Sequence, residues 1–234
     1  MAGSVAGSAV GSGAGTAMGP EAGTTAGTGA AVARPADEPS PAPGAEEYPS
    51  LDLANSAIAL PGGHFTDFLG TPAAADHWLA AHALAPEDAG LRETCAAQLR
   101  SLREHVRSLI AARVEGQAPP AGALNAVNDA LTRAPAAELL HWSPERGLHR
   151  AAAHPTTQIL DHALAALAAD AARLLTGPDA DRLTACGSAP CNRYLLRRGR
   201  RHWCSTRCGD RARAARAYAR RTARPDPASP AEDA

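Results

Sequence analysis

The 234-residue chain contains no lysine: all 23 of its basic residues are arginine. With alanine this abundant, that usage fits GC-rich coding and is not in itself chemistry. Aromatic residues make up only 3 % of the chain, and the 45 % hydrophobic fraction is swollen by alanine, so any core is thin for this length. No stretch approaches the ~18 consecutive apolar residues of a membrane span. The first residues lack the basic segment and continuous apolar run of a secretory signal, which places the expected location in the cytoplasm. Also missing are H-E-x-x-H, G-x-S-x-G and a phosphate-binding glycine loop, and the nine histidines are scattered. A hydrolytic, metalloprotease or nucleotide-hydrolysing enzyme is therefore not indicated.

What the chain does have is concentrated near its C-terminal end. Four of the five cysteines fall at Cys186, Cys191, Cys204 and Cys208, in the spacing C-x4-C-x12-C-x3-C. Two close pairs separated by a longer loop can turn four sulfurs toward one point, the requirement of a tetrahedral metal site. In a reducing compartment such clusters serve as metal ligands rather than disulfides. Four sulfurs close the coordination sphere, so one structural Zn²⁺ is expected and zinc catalysis is not. A module of about 40 residues cannot bury enough apolar surface to fold alone, and the metal supplies the missing stability. His202 is an alternative ligand, less favoured with four cysteines in register. Cys95 falls on the apolar stripe of a helix and is expected in the core.

Charge is split along the chain. Residues 1–181 carry a formal −10, whereas residues 182–234 carry +9. From Arg182 to Arg224 there are 13 arginines against one acid, Asp210. A zinc-tetrathiolate contributes only about −2, so the module stays strongly cationic. Such an asymmetry points to a polyanionic partner.

Composition divides the chain into four parts. Residues 1–47 are mostly small residues and proline and are expected to be disordered, as is the tail 225–234. Residues 48–181 read as a helical domain and 182–224 as the finger. Tyr48 to Leu60 reads as a helix or an extended lead-in, broken at Pro61-Gly62-Gly63. Thr71 caps a helix opened by Pro72, with Trp78, Leu79 and Ala83 buried. The longest helix starts at Pro86-Glu87-Asp88 and runs to about Val114, with Leu91, Cys95, Leu99, Leu102, Val106, Leu109 and Ile110 at helical spacing. A shorter helix carries Leu124, Val127 and Leu131. A β-hairpin spans Leu139 to Ala152, and a further helix runs from Ile159 to Leu175 before Thr176-Gly177-Pro178. The fold class is mainly α: a helical N-terminal domain with one β-hairpin, then a small zinc-stapled hairpin/helix finger.

After Cys208 the sequence GDRARAARAYARRTAR is helical by propensity. At about 100° per residue, Arg213, Arg216, Arg220 and Arg224 share an arc of roughly 80°. Ala215, Tyr218, Ala219 and Thr222 lie on the other side, expected against the zinc core. Arg197, Arg198, Arg200 and Arg201 form an expected hairpin tip. Tyr194 and Trp203 are expected to cover the metal site. Arginine forks suit phosphates and the guanine edge. Two other readings stay open: a solvated basic face, and one docked on the acidic N-terminal domain.

These residues also carry a resemblance. Arg201-His202-Trp203-Cys204-Ser205-Thr206-Arg207-Cys208-Gly209-Asp210-Arg211 resembles the signature R-x-W-C-S-x-x-C-G-N-R of the CGNR zinc fingers. Here the second cysteine pair has the short spacing, and Asp210 stands in place of the asparagine. Leu51-Asp52-Leu53-Ala54-Asn55-Ser56 is similar to the L-D-F-A-N-T opening of the ABATE domain, described as a stress-induced transcription regulator. The resemblance covers about Tyr48 to Arg224 and implies a bacterial-type regulator. Asp210, Arg211 and Trp203 are expected around the metal site, and charge and spacing lead us to expect Arg197, Arg198, Arg200, Arg201, Arg213, Arg216 and Arg220 to meet DNA; the resemblance itself implies regulation without naming a target. Because one finger makes a small footprint, a homodimer or protein partner is expected. The alternative function is a finger that docks on an acidic protein without reading nucleic acid. Asp52, Asn55 and His64 read as capping and turn residues or as the lining of a polar pocket.

Overall fold

A computed structural model describes residues 40–134, 138–152 and 158–223. The architecture is mainly helical with small antiparallel hairpins. Helix α1 (Pro49–Ala54) leads into strand β1 (Ala57–Ala59), which pairs with β2 (Phe65–Asp67) across a 3-10 turn at Pro61–Gly63. This first hairpin was not visible in the sequence, because three-residue strands carry no readable alternation. Residues 40–47, expected as part of the tail, are instead placed, with Ala42 fully buried.

Helix α2 (Pro72–Ala81) begins as the sequence indicates, with the Thr71 hydroxyl accepting from the Ala74 N–H at 3.2 Å. It buries Trp78 and Leu79, but Ala83 lies beyond the helix end, exposed and at φ 54°. Helix α3 (Glu93–Glu115) starts later than the sequence suggests. Pro86-Glu87-Asp88 forms a turn with Asp88 at φ 61°, a backbone state incompatible with helix. Its buried stripe contains Ala96, Leu99, Leu102, Val106, Leu109 and Ile110, and Cys95 is only half-buried. Gly116 ends it in the left-handed conformation at φ 67°.

Helices α4 (Ala121–Thr132) and α5 (Ile159–Thr176) pack with α3, joined by α1, around one core. Between them β3 (Glu138–Ser143) and β4 (Gly147–Ala152) form a ribbon in which Trp142 faces Leu148 and Leu140 faces Arg150. Leu140, Trp142 and Leu148 are all exposed on it. The last part holds β5 (Leu183–Ala185), β6 (Tyr194–Leu196) and α6 (Thr206–Thr222). Leu183 and Leu196 are buried in the same core as the helices, so the finger's hairpin shares the helical domain's interior. Among the described residues no helix is long and apolar enough to cross a membrane.

Candidate metal centre and its basic surroundings

The loop between β5 and β6 carries Cys186 and Cys191; the approach and first turn of α6 carry Cys204 and Cys208. All four sulfurs lie within 4.8 Å of one another. The Cys204 sulfur is 3.6 Å from those of both Cys191 and Cys208. A tetrahedron with Zn–S bonds of about 2.3 Å has edges of about 3.8 Å, so the spacing fits one zinc ion. The cysteines are free thiols, and Cys186, Cys204 and Cys208 are buried.

The backbone is arranged for thiolates. The Cys204 N–H points at the Cys186 sulfur at 3.5 Å, and that of Ser188 also faces it. The Arg193 N–H faces the Cys191 sulfur. Thiol hydrogen bonds from Cys191 and Cys204 lower the Cys186 pKa to about 2. The same bond to Cys186 raises Cys191 well above the ordinary thiol range and Cys204 to about 11. Close-set thiols left to share protons split in this way; a divalent cation at the centre of such a cluster relieves the split, because it binds the thiolate form.

Local sequence explains the framing. The Ser205 hydroxyl accepts from the Cys208 N–H at 3.2 Å, capping α6 so that its first turn presents Cys208. Gly209 is needed for close approach: a Cβ there would meet Trp203 Cε3 at 3.3 Å. Trp203 packs against the cysteine cluster, as expected. Arg211 donates to Ser188 Oγ at 3.1 Å, to the Ser188 carbonyl at 3.3 Å and to the Cys208 sulfur at 3.2 Å, tying α6 to the first cysteine pair. Arg193 is buried and donates to the Cys204 sulfur at 3.9 Å and the Ser40 carbonyl at 3.0 Å. Asp210 makes none of these contacts; it is exposed and pairs with Arg213. His202 is exposed and outside the four-sulfur cluster.

The arginines expected to meet DNA divide into three groups. Around Trp203, Arg201 Nε donates to its carbonyl at 3.1 Å, and Arg213 and Arg216 lie over its ring at 5.8 and 5.6 Å. Elsewhere Arg198 pairs with Glu46, at 3.0 Å, and with Glu47. The side chains of Arg197, Arg200 and Arg220 are exposed and reach no described partner, and Arg224 lies outside the described residues. Three expectations are corrected. Arg197–Arg201 is not the tip of the β5–β6 hairpin but a turn after β6, with Gly199 at φ 60°. Ala215, Tyr218 and Ala219 do not pack on the zinc core; all three are exposed, Tyr218 by 64 %. Tyr194 packs on the helical core beneath Arg107 rather than over the metal site.

Sequence reasoning missed the residues that hold the finger to the helices. The Asn55 side chain pairs with both backbone groups of Tyr194, accepting from its N–H at 2.8 Å and donating to its carbonyl at 2.9 Å. Asn192 reciprocates, accepting from the Ala59 N–H at 3.0 Å and donating to the Ala57 carbonyl at 3.2 Å. Arg107 bridges the carbonyls of Ala54 and Asn192. The L-D-L-A-N-S segment is thus a clasp rather than a pocket lining. Asp52 within it is buried and meets His82 at 3.1 Å. Its signal in the sequence was an amide in a buried apolar run, which needs a partner somewhere.

A helical domain with a four-cysteine finger seated on its core defines a zinc-finger protein. The family models agree. The ABATE model, described as "Putative stress-induced transcription regulator", matches residues 47–178, and the CGNR zinc-finger model matches residues 182–221. The chain belongs to the ABATE family and carries a CGNR zinc finger at its C-terminal end. No curated protein matches it.

Proposed function

We propose that this chain is a zinc-dependent, DNA-binding transcription regulator acting in the cytoplasm. Cys186, Cys191, Cys204 and Cys208 hold one structural zinc, and Arg211 and Trp203 brace it. The observation that carries the reading is the gathering of Arg201, Arg213 and Arg216 about Trp203 beside the four sulfurs. That places cationic forks on the element the metal makes rigid, with Arg197, Arg200 and Arg220 exposed to extend the contact. Each phosphate contact adds affinity and salt dependence, whereas base edges supply the sequence information. The helical domain senses or assembles. The exposed Leu140, Trp142 and Leu148 support assembly, since apolar patches on a ribbon mark contact surfaces. No catalytic step belongs to this reading, because four sulfurs leave the metal no open position.

The test is selection of duplex sequences by the zinc-loaded chain across a salt series. An enriched motif, lost with Cys204→Ser, is expected. Arg216→Ala combined with Arg220→Ala should weaken binding and flatten the salt slope by about two. Unchanged affinity and slope in that double variant would falsify the assignment of α6 to DNA contact. A second reading, docking on an acidic protein, has one observation in its favour: Arg198 already takes Glu46 and Glu47. It predicts no enrichment of any duplex motif.

A further inference from the structure

A cleft of about 440 Å³ opens beside the metal centre, between residues 187–189 and the face of α6 that carries Arg211, Ala215 and Arg216, with His202 and Trp203 completing it. Its size falls in the range of small-molecule sites, ~300–1,000 Å³. None of the described residues lining it is acidic, and two are arginines.

The two arginines are held differently. Arg211 is fixed by Ser188 and the Cys208 sulfur, so that wall is ordered before any ligand arrives. Arg216 is tethered only through Nε, to the Ala212 carbonyl at 3.2 Å, and its outer nitrogens reach no described partner. Its guanidinium lies 5.6 Å from the Trp203 ring centroid. The guanidinium lies over the indole, so it is the planar, cationic fork of Arg216, backed by the ring, that forms a shelf on which a base can stack. Gly187, Ala189 and Ala215 on the cleft's walls carry at most a methyl group, which leaves room for a planar ring.

A flat shelf with free guanidinium nitrogens at its edge matches a ring that carries an anion. We propose that this cleft binds a nucleoside phosphate, the base against the Trp203–Arg216 shelf and the phosphate on the outer nitrogens of Arg216. The same chemistry has two sources: a free nucleotide, or a nucleotide splayed from a nucleic-acid strand. The strand-borne source deepens the DNA-binding reading and rests on it; the free-nucleotide source does not.

The test compares Ala215→Glu, which places a carboxylate in the cleft, with Ala214→Glu. Ala214 is exposed on the same helix outside the cleft, so the change in charge is identical. Neither residue packs in the cysteine cluster, and zinc content should stay at one per chain in both. Calorimetric titration of the zinc-loaded full chain uses AMP, adenosine and inorganic phosphate. A free-nucleotide site binds AMP at least about tenfold tighter than phosphate or adenosine, in wild type and Ala214→Glu, and loses it in Ala215→Glu. A strand-borne site instead shows an oligothymidine strand weakened about tenfold more by Ala215→Glu than by Ala214→Glu, while a duplex of random sequence weakens equally in both. If neither ligand separates the two variants, or AMP binds no tighter than phosphate and the strand does not separate them, the proposal is overturned. Absence of duplex binding in every protein defeats the DNA-binding reading alone, because the AMP comparison does not depend on it.

Discussion

Asn55 spends one side chain on two backbone groups of Tyr194, and so behaves as a piece of strand supplied by an amide. Asn55→Ala leaves the part-buried N–H and carbonyl of Tyr194 unpaired at the seam between helices and finger. We expect a loss of about 2 kcal/mol or more, read as a lower urea midpoint, with zinc stoichiometry unchanged. Arg211→Lys replaces a fork that reaches Ser188 and the Cys208 sulfur with a single point charge. Zinc affinity should fall about 10–100-fold in a competition with a chromogenic chelator. Acid sensitivity has its own residue. Burial pushes the Asp67 carboxyl up, but two hydrogen bonds from Arg103, at 2.6 and 2.8 Å, and one from the Leu69 N–H outweigh it, so its pKa is lowered. A depressed carboxylate contributes stability that is present above its unfolded pKa and lost as pH falls through the folded one. Stability should therefore decline below about pH 4, and Asp67→Asn should be less stable at neutral pH with a flatter decline. An unchanged acid limb in that variant would reassign the effect to other carboxylates.

At the scale of elements, what was legible followed from periodicity and what was not followed from partners. The stripe of α3 and that of α5 were readable because each presents a broad apolar face to one core. The start of α3 was misplaced because acids after a proline suit a helix start and a turn equally well. The inner face of α6 was misread for a different reason. Its alanines and Tyr218 form a plausible buried side, yet burial on that helix ends near its first turn, at Cys208 and Gly209. The four cysteines were legible from spacing alone. The strap of residues 40–47 was not, since much of its hold is through backbone carbonyls, which every residue carries: that of Pro43 accepts from the Leu196 N–H at 2.7 Å and that of Ser40 from Arg193 at 3.0 Å. Only Gly44 betrays it, at φ 95° and with no room for a Cβ, which would sit 2.5 Å from Leu196 Cγ. Gly44→Ala should cost about 2–5 kcal/mol from strain and overpacking together, seen as a lowered thermal midpoint. Wild-type stability in that variant would show that the strap is not held as described.

For the molecule as a whole, finger and helices are one mechanical body. Leu183 and Leu196 sit among the side chains of the helical core, and Arg113 and Asp181 pair across the same junction. Structural zinc is worth on the order of 10–16 kcal/mol in isolated fingers. Its removal should therefore be felt far from the sulfurs. With a strong chelator, calorimetry should show the helical domain's transition lowered by about 10 °C or more, rather than a finger melting separately beneath an unchanged main peak. Two independent peaks would contradict the shared core.

The Arg193–Ser40 hydrogen bond joins residues 153 positions apart, and Ala42 is buried against the cysteine cluster. On the ribosome, Ser40 and Ala42 must wait, uncovered, until residues about 150 positions later emerge. Closure of the metal site is therefore a late event of synthesis. A nascent chain that stops short of Arg193 leaves the Ser40 carbonyl and Ala42 without the partners that cover them.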